Sequence, residues 1–587
     1  MLIYRSAGRV LDARDAMASI GERLRAAEGW SHEDWVGMLL DAGELECALT
    51  DAECAAADRE TTLTRALRRL SIAVASGMVR SWREDRPPPD DLARILEAWS
   101  AARVLVPQAR LQARVPEGFA YYGLYPETYI SAAEQLAREA PARVTVLGIR
   151  SIGTTLSAVV AAMLAACGIA VDAVTVRPRG HPFDRELALA PALRQRLRAA
   201  AAAPAHWFAI VDEGPGLSGS SFASVAEVLR ASGAPDRRIV LFPSWAPDPA
   251  VLRSTRGQDS WRRHPRLAGD FDALWVRDSR LAAPFGVAIG ADLSGGAWRG
   301  CVCRERPQPA VQPQHERRKF LCGRAGAPHQ FLLKFEGLGR LGRPRLARAR
   351  ALADAGFAPR PVGFANGFLA TEWLEGVPLD ARDASPAFVQ HVARYISWLH
   401  RHARATADVS PDALLDMMRC NVREGLGDAL AGCVEAVAPI AAVVARVPAV
   451  AVDGRMLPHE WLRTHTGFVK TDGLSHHDDH FLPGAQDAAW DLAGAAIELS
   501  LSPEAERRLV GGYAAATGDH AVAGRLPFWR VAYLAFRLGY TTTAAAALGS
   551  ATDASRMAQL AAGYRARLAR ELRVPVAGAT APEPAPR

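Results

Sequence analysis

The chain has 587 residues, of which 49% are hydrophobic and 23% charged, and its formal net charge is +7. This length exceeds a single core and the composition is typical of globular proteins, so we expect three or four domains. No apolar run reaches the roughly 18 residues of a membrane span, the N-terminus lacks the pattern of a secretory signal, and basic residues do not alternate with aromatic ones. The sequence therefore predicts a cytoplasmic protein that binds neither a membrane nor nucleic acid.

Residues 1–110 are predicted to form a helical N-terminal region. Amphipathic runs cover 13–28, 35–49 and 61–82, and a proline run at 87–89 follows them. We find no catalytic pattern in this region. We interpret it as a helical segment that precedes the first α/β domain or as a surface that binds a partner.

Residues 111–303 show the alternating pattern of an α/β domain, with strands near 144, 171, 208 and 238. Strands that alternate with helices predict a parallel sheet, and ligands of such sheets bind beyond the carboxyl ends of the strands. Two loops follow strands of this sheet, at 150–157 and 214–221. Small residues there would let backbone amides surround a phosphate, and a helix N-terminus would face the anion.

These two loops, with Asp212 and Glu213 before the second, resemble the pyrophosphate and phosphoribosyl pyrophosphate (PRPP) loops of type I phosphoribosyltransferases. The resemblance implies ribosyl transfer from PRPP with Mg²⁺, in which the catalytic Asp212 and Glu213 stabilise the ribose. It assigns PRPP binding to Arg150, Ser151, Gly153, Thr154, Gly214, Gly216, Ser218, Gly219, Ser220 and Ser221. It also implies a base- or nucleoside-like substrate and a possible homodimer through this domain.

Three further basic residues, Arg177, Arg179 and His181, lie at the position of that family's mobile hood. They would neutralise a leaving pyrophosphate. The loop after Glu213 is one residue longer than is usual in the family. An ordinary Rossmann-like turn with a solvated basic loop is the alternative.

A proline-containing linker, 304–314, precedes a third region, 315–575. Only three of the 70 basic residues are lysines: Lys319, Lys334 and Lys470. A lysine in such an arginine-rich chain indicates a place where a compact ammonium group is needed. Lys334 is central in a hydrophobic strand, as is the lysine that holds ATP phosphates in kinase-type folds.

The order of parts over 315–500 resembles the aminoglycoside phosphotransferase and choline kinase branch of the protein-kinase-like fold. The resemblance implies a bilobal domain that uses ATP and Mg²⁺, with Lys334 and the hinge residues Glu372 and Leu374 binding ATP. Asp453 would be catalytic and would orient the acceptor hydroxyl. Glu460 and Asp472 would bind the metal, and Asp491 would brace the catalytic loop.

The match leaves two alternatives open. The family's His-x-Asp triplet is absent at Asp453, but two occur in 476–480, so Asp479 could be catalytic and Asp487 chelating in a shifted register. The run His476-His477-Asp478-Asp479-His480 is either the activation-segment position of a kinase or a transition-metal site.

Taken together, the sequence predicts a multidomain α/β and α+β chain: a parallel-sheet phosphoribosyltransferase-like domain, a bilobal kinase-like domain and a disordered tail at 576–587. The predicted function is a bifunctional nucleotide-metabolite enzyme, with Mg²⁺ in both modules and PRPP and ATP as cosubstrates. The alternative is a non-catalytic nucleotide sensor built from a degenerate transferase and a pseudokinase.

Overall fold

The structure is a computed structural model that describes residues 1–5, 8–84, 89–303, 306–324, 329–405 and 410–573. The predicted tail, 576–587, lies outside the described residues, as do residues 304 and 305 of the predicted linker. No helix within the described ranges has both the length and the apolar character that crossing a membrane requires.

The N-terminal region is helical, as predicted. Its elements are β1 (Gly8–Asp12), α1 (Ala13–Arg25), α2 (His32–Glu53), α3 (Thr62–Glu84), α4 (Pro89–Arg103) and β2 (Arg110–Arg114). Ser31 and Asp34 form a capping box at the start of α2, which supplies partners for backbone N–H groups that a helix leaves unpaired. Strand β1 pairs antiparallel with β2 and closes the region.

Strands and helices alternate in the next region, as predicted. The elements are α5 (Pro126–Arg138), β3 (Arg143–Ile149), α6 (Ile152–Ala166), β4 (Ala170–Val176), β5 (Arg179–His181), β6 (Asp184–Glu186), α7 (Pro191–Ala202), β7 (His206–Val211), α8 (Ser220–Ala231), β8 (Ile239–Phe242) and α9 (Thr255–Arg263). Four strands form a parallel sheet in the order β4-β3-β7-β8, while β5 and β6 form a hairpin. The predicted parallel sheet is confirmed, but sheets of this kind serve many functions and do not identify a phosphoribosyltransferase.

A second, antiparallel sheet follows the α/β region. Its elements are β9 (Ala288–Asp292), α10 (Arg299–Val302), β10 (Lys319–Gly323), β11 (His329–Phe335), α11 (Arg343–Asp354), β12 (Pro361–Ala365) and β13 (Phe368–Glu372). The strand order is β12-β13-β11-β10-β9. Strand β9 therefore belongs to the second sheet, although the sequence placed it in the α/β domain that ends at residue 303.

The rest of the chain, which we call the helical part, carries a small sheet and eight helices among the described residues. They are β14 (Val377–Pro378), α12 (Pro386–His402), α13 (Pro411–Leu426), α14 (Asp428–Ala431), α15 (Ala438–Val444), β15 (Trp461–Thr464), β16 (Gly467–Lys470), α16 (Ala489–Glu498), α17 (Pro503–Thr517), α18 (Val522–Leu548) and α19 (Thr552–Glu571). Ser385 and Ser502 cap α12 and α17, and each is followed by a proline suited to the first helical turn.

One apolar cluster joins the N-terminal helices to both large sheets, and includes Leu39, Leu156 and Phe335. A second fills the helical part and includes Ile3 from the N-terminal segment. The regions are thus joined by buried apolar side chains, which fixes the walls of the cavity described next.

Candidate functional site

A cavity of about 800 Å³ lies between the antiparallel sheet and the helical part. The sheet contributes β11 and the hinge that follows β13, and the helical part contributes the segment after β16 together with α18 and α19. A cavity of this size suits a ligand as large as a nucleotide. The lining residues used below are Lys334, Glu336, Glu372, Leu374, Arg455, Glu460, Lys470, Asp472, His476, Asp479 and Arg537.

Lys334 points from β11 into this cavity and forms an ion pair with Asp472. Its Nζ lies 2.6 Å from Asp472 Oδ1 and 3.4 Å from Glu336 Oε1. Burial alone would lower the pKa of Lys334, but the two carboxylates outweigh burial and raise it. The structure therefore brings together two residues that the sequence predicted to act together across 138 positions.

Glu336 is a residue of this site that the sequence analysis missed. It is fully buried, and its Oε2 accepts from Arg317 at 3.2 Å and from Arg345 at 3.3 Å. Arg345 lies on α11, so this helix supplies one of the two guanidinium groups that hold the Glu336 carboxylate. The sequence could have indicated Glu336, because it follows Lys334 by two residues and residues two apart in an extended segment face the same side.

Glu460 and Asp472, the predicted metal ligands, lie close together, and His476 joins them. One ligand atom from each of the three residues lies within 4.8 Å of the others. Both carboxylates are already bound to ammonium groups, Asp472 to Lys334 and Glu460 to Lys470 at 2.7 Å. The donor set therefore fits a metal ion in its spacing but not in its charge, because each carboxylate already has a cation.

Asp453, the predicted catalytic residue, does not line the cavity. It is 0% exposed, and its Oδ2 accepts from the Tyr395 hydroxyl at 2.8 Å and lies 3.1 Å from Lys470 Nζ. Gly473 covers it, and a Cβ on Gly473 would lie 2.6 Å from Asp453 Oδ2. An acceptor hydroxyl in the cavity therefore has no direct access to this carboxylate in this structure.

Asp491 makes the contact predicted for it. Its two carboxylate oxygens accept from the backbone N–H groups of Asp453 and Gly454 at 2.8 and 2.9 Å. Burial, followed by the charge of Asp453, raises the pKa of Asp491 to about 7. The start of α16 thereby fixes the backbone of the loop that follows Asp453.

The structure places only one of the two residues of the alternative register, Asp479 and Asp487, at the cavity. Asp479 lines the cavity, but Asp487 is fully buried and binds Arg525 Nε at 2.6 Å and Trp529 Nε1 at 3.0 Å. Asp487 is therefore a buried ion-pair residue, and its predicted chelating role is wrong for this arrangement.

The cluster at 476–480 does not form a single coordination sphere among the described residues. His476 Nδ1 lies 2.9 Å from the Asp453 carbonyl oxygen, whereas His480 Nε2 lies 3.0 Å from the Tyr122 hydroxyl. Only His476 of this run belongs to the group of potential metal ligands. The segment instead joins the cavity to the α/β region.

At the edge of the parallel sheet, the predicted phosphate-binding arginines are already paired. Arg150 is 1% exposed and forms ion pairs with Asp51 at 2.7 Å and Asp58 at 2.5 Å. Arg177 Nε donates to Asp51 at 2.6 Å, and Arg179 lies 3.3 Å from Asp58. The N-terminal region thus supplies carboxylates where the sequence predicted a pyrophosphate.

The loop at 214–221 is closed by the hairpin of β5 and β6. Ser218 and Ser220 both donate their hydroxyl groups to the Pro182 carbonyl, at 2.8 and 2.7 Å. His181, the third predicted hood residue, is exposed on this hairpin. Ser151 has a φ of 150°, a backbone conformation that few residues other than glycine adopt. The PRPP-binding role of these loops stays a prediction.

Asp212 and Glu213 lie side by side in a poorly solvated place. Burial raises the pKa of Asp212 to about 7, and burial together with the Asp212 charge raises that of Glu213 to about 8. Near neutral pH, without a bound cation, this arrangement therefore favours a proton on one of the two carboxyl groups.

Replacing Asp212 with Asn is expected to stabilise the chain at high pH. Below about pH 4 the folded and unfolded states both hold the proton, whereas between about pH 4 and 7 the folded state retains a proton that the unfolded state releases, so stability falls as pH rises. We expect the gain in Asp212→Asn to grow from near zero at pH 4 to about 4 kcal/mol at pH 8.5. Unfolding midpoints across this range measure it, with the exposed Asp15→Asn as control; a gain that does not change with pH would contradict the shift.

No protein-family model matches the chain, and no curated protein matches it. Solved structures similar to part of the chain include a choline kinase, LicA, from Streptococcus pneumoniae: 15% identity over 43% of this chain and 89% of that one, with a TM-score of 0.33. A choline/ethanolamine kinase family protein from Mesorhizobium loti has 18% identity over 44% and 85%, with a TM-score of 0.34. The gentamicin complex of APH(2")-IIa has 12% identity over 50% and 97%, with a TM-score of 0.32. Likenesses this weak carry no argument, so the proposals below use contacts within this chain.

Proposed function

We propose that the cavity binds ATP and that the chain transfers its terminal phosphate to a polar small molecule. The observation that carries the proposal is the partly buried ion pair of Lys334 with Asp472 at the cavity wall, with Glu336 also beside Lys334. An ammonium held by two carboxylates in a nucleotide-sized cavity is suited to the phosphates of ATP. The hinge at Glu372 and Leu374 lines the same cavity and would receive adenine.

Arg455 supports the placement of the phosphates. It follows Asp453 by two residues and lines the cavity, and in the described part of the chain no carboxylate lies within ion-pair distance of it. Its Nη2 contacts His476, and its buried Nε has no hydrogen-bond partner. An arginine without a carboxylate partner in a cavity is an anion site, and the terminal phosphate is the anion we assign to it.

The far end of the cavity is where the small molecule would bind. Arg537, Tyr564 and Glu498 line it, and the Arg537 Nε lies 3.3 Å from Glu498 Oε1. Paired charges and a phenol suit a polar hydroxyl-bearing molecule of modest size rather than an apolar one.

The proposal is tested by measuring ATP binding calorimetrically and ADP formation with a pool of polar metabolites. Binding of ATP but not of PRPP at the cavity, followed by ADP release that depends on an added metabolite, supports the proposal. Absence of ATP binding at millimolar concentration would refute it.

A second function, nucleotide binding without transfer, is favoured by one observation. Asp453 is covered by Gly473 and already bound by Tyr395 and Lys470, so the group expected to orient an acceptor hydroxyl does not reach the cavity. Tight ATP binding with no ADP formation from any metabolite would select this sensor function.

We do not extend the proposal to phosphoribosyl transfer. The arginines expected to hold pyrophosphate are in ion pairs with Asp51 and Asp58, and near neutral pH, without a bound cation, a proton is favoured on one of the two sheet-edge carboxyls. PRPP, a nucleobase-like substrate and a homodimer through this domain stay predictions.

A further inference from the structure

Lys470 places a buried ammonium group between Glu460, one of the two residues that the sequence assigned to magnesium, and Asp453, the predicted catalytic residue. It is the last residue of β16, is 3% exposed and precedes Asp472 by two residues. Its Nζ donates to Glu460 Oε2 at 2.7 Å and to the backbone oxygen of Asp472, and it lies 3.1 Å from Asp453 Oδ2.

These three oxygens account for the three N–H groups of an ammonium. A magnesium ion binds oxygens at about 2.0–2.1 Å with octahedral geometry, so it cannot share this space with the lysine Nζ. Lys470 holds Glu460 Oε2 and Lys334 holds Asp472 Oδ1, so each predicted metal ligand already has an ammonium group on one of its oxygens.

The chain itself supplies cations to three carboxylates at this end of the cavity. Lys334 pairs with Asp472, and Lys470 pairs with Glu460 and Asp453. The phosphates of a nucleotide would thus meet these three carboxylates with an ammonium group already beside each of them. Glu336 does not alter this arrangement, because Arg317 and Arg345 are bound to it.

Building on the proposed ATP site, we propose that Lys470 is a tethered cation that replaces a divalent metal ion, so that the chain binds a nucleoside triphosphate without magnesium. Lys470 is a positioning residue, since it acts through Glu460 and Asp453. A compact ammonium fits between these carboxylates where a planar guanidinium would not, which accounts for one of only three lysines in the chain.

The test compares ATP affinity in EDTA with ATP affinity in excess magnesium. For the parent chain we expect the two affinities to agree within about threefold, and for Lys470→Met we expect ATP affinity in EDTA to fall at least about tenfold below that in magnesium. The matched control is Lys319→Met, which removes a lysine of the same cavity that faces Glu316 instead, at 3.4 Å. Its ratio of affinities should equal that of the parent.

A second measurement needs no nucleotide. Magnesium should raise the thermal unfolding midpoint of Lys470→Met, whose carboxylates have lost their cation, but not that of the parent. If Lys470→Met does not fold, Lys470→Gln serves in its place, and we expect its ATP affinity in EDTA likewise to fall at least about tenfold below that in magnesium.

The outcomes separate this inference from the proposed function. ATP binding by the parent only when magnesium is present would overturn the role of Lys470 and leave the ATP site intact. A Lys470→Met variant that stays folded and binds ATP equally well in EDTA and in magnesium would also overturn it. No ATP binding in either buffer refutes the ATP site itself.

Discussion

Replacing Lys334 with Met is expected to weaken ATP binding by about 2–5 kcal/mol, or roughly 30- to 4,000-fold. The physical reason is that the variant removes the ammonium that faces the cavity. Asp472 loses this partner whereas Glu336 keeps Arg317 and Arg345, so the Asp472 carboxylate would repel the phosphates. Titration calorimetry with ATP measures the change directly.

The matched control is Arg350→Met, which removes a cation from the exposed side of α11. Its ATP affinity should equal that of the parent. The thermal midpoint of Lys334→Met without ligand shows whether the cavity is still formed. If that variant stays folded and binds ATP as the parent does, Lys334 does not contact the phosphates and our placement of ATP is wrong.

The residues that the sequence predicted to bind ATP and metal all line one cavity. Each could be predicted individually, because a lysine in a strand and an acidic residue near a strand end are local sequence patterns. Lys334, Glu372, Glu460 and Asp472 could each be found from a strand or strand end. The pairing between them depends on how the sheet packs on the helical part, and no local pattern reports that packing.

What the sequence could not provide is the orientation of side chains between elements. Lys470 is the last residue of the short strand β16, and no residue next to it in the sequence indicates that its side chain lies between Glu460 and Asp453. The burial of Asp453 likewise depends on Gly473, which follows it by twenty positions and approaches from another loop. The first feature changes the expected metal binding by Glu460, and the second changes the expected access of a substrate to Asp453.

At the parallel sheet, the predicted strands were right, but the structure pairs Arg150 and Arg177 with carboxylates that the sequence analysis did not consider. The Arg150 and Arg177 side chains resemble phosphate ligands when only their own loops are considered. Asp51 and Asp58, from a helical segment without a catalytic pattern, neutralise them after docking. The charge environment of Arg150 thus depends on a tertiary contact with Asp51, about a hundred residues away in the sequence. Strand β9 is a second case, because it pairs with β10 in the antiparallel sheet and not with the domain in which it was predicted.

The segment at 476–480 connects regions of the chain through hydrogen bonds of its backbone. Tyr121 donates to the Asp478 carbonyl at 2.5 Å, and Arg5 Nε donates to the Asp479 carbonyl at 2.8 Å. The segment that lines the cavity is thereby attached both to the α/β region and to the N-terminus. Because β3 and β7 pack in the same apolar cluster as β11, displacement of one region would strain the other.

Replacing Arg525 with Leu is expected to give the largest loss of stability in the helical part, about 3–5 kcal/mol. Asp487 is fully buried, and Arg525 Nε binds it at 2.6 Å, so the variant leaves a buried carboxylate that only Trp529 and the backbone of Ala489 still contact. Hydrogen exchange of amides in α16 and α18 measures the free energy of opening where it is lost.

The control is Arg508→Leu, which removes an exposed partner of Glu504 four residues earlier in α17 and should cost no more than about 0.5 kcal/mol. Adding Asp487→Asn to Arg525→Leu should restore part of the loss, because a neutral amide still accepts from Trp529 and carries no buried charge. Since Asp487 precedes the start of α16 and Asp491 of that helix holds the backbone of Asp453, faster exchange should extend to the amides of Asp453 and Gly454. If exchange there stays at the parent rate while α16 opens, the loop after Asp453 is held by contacts other than Asp491.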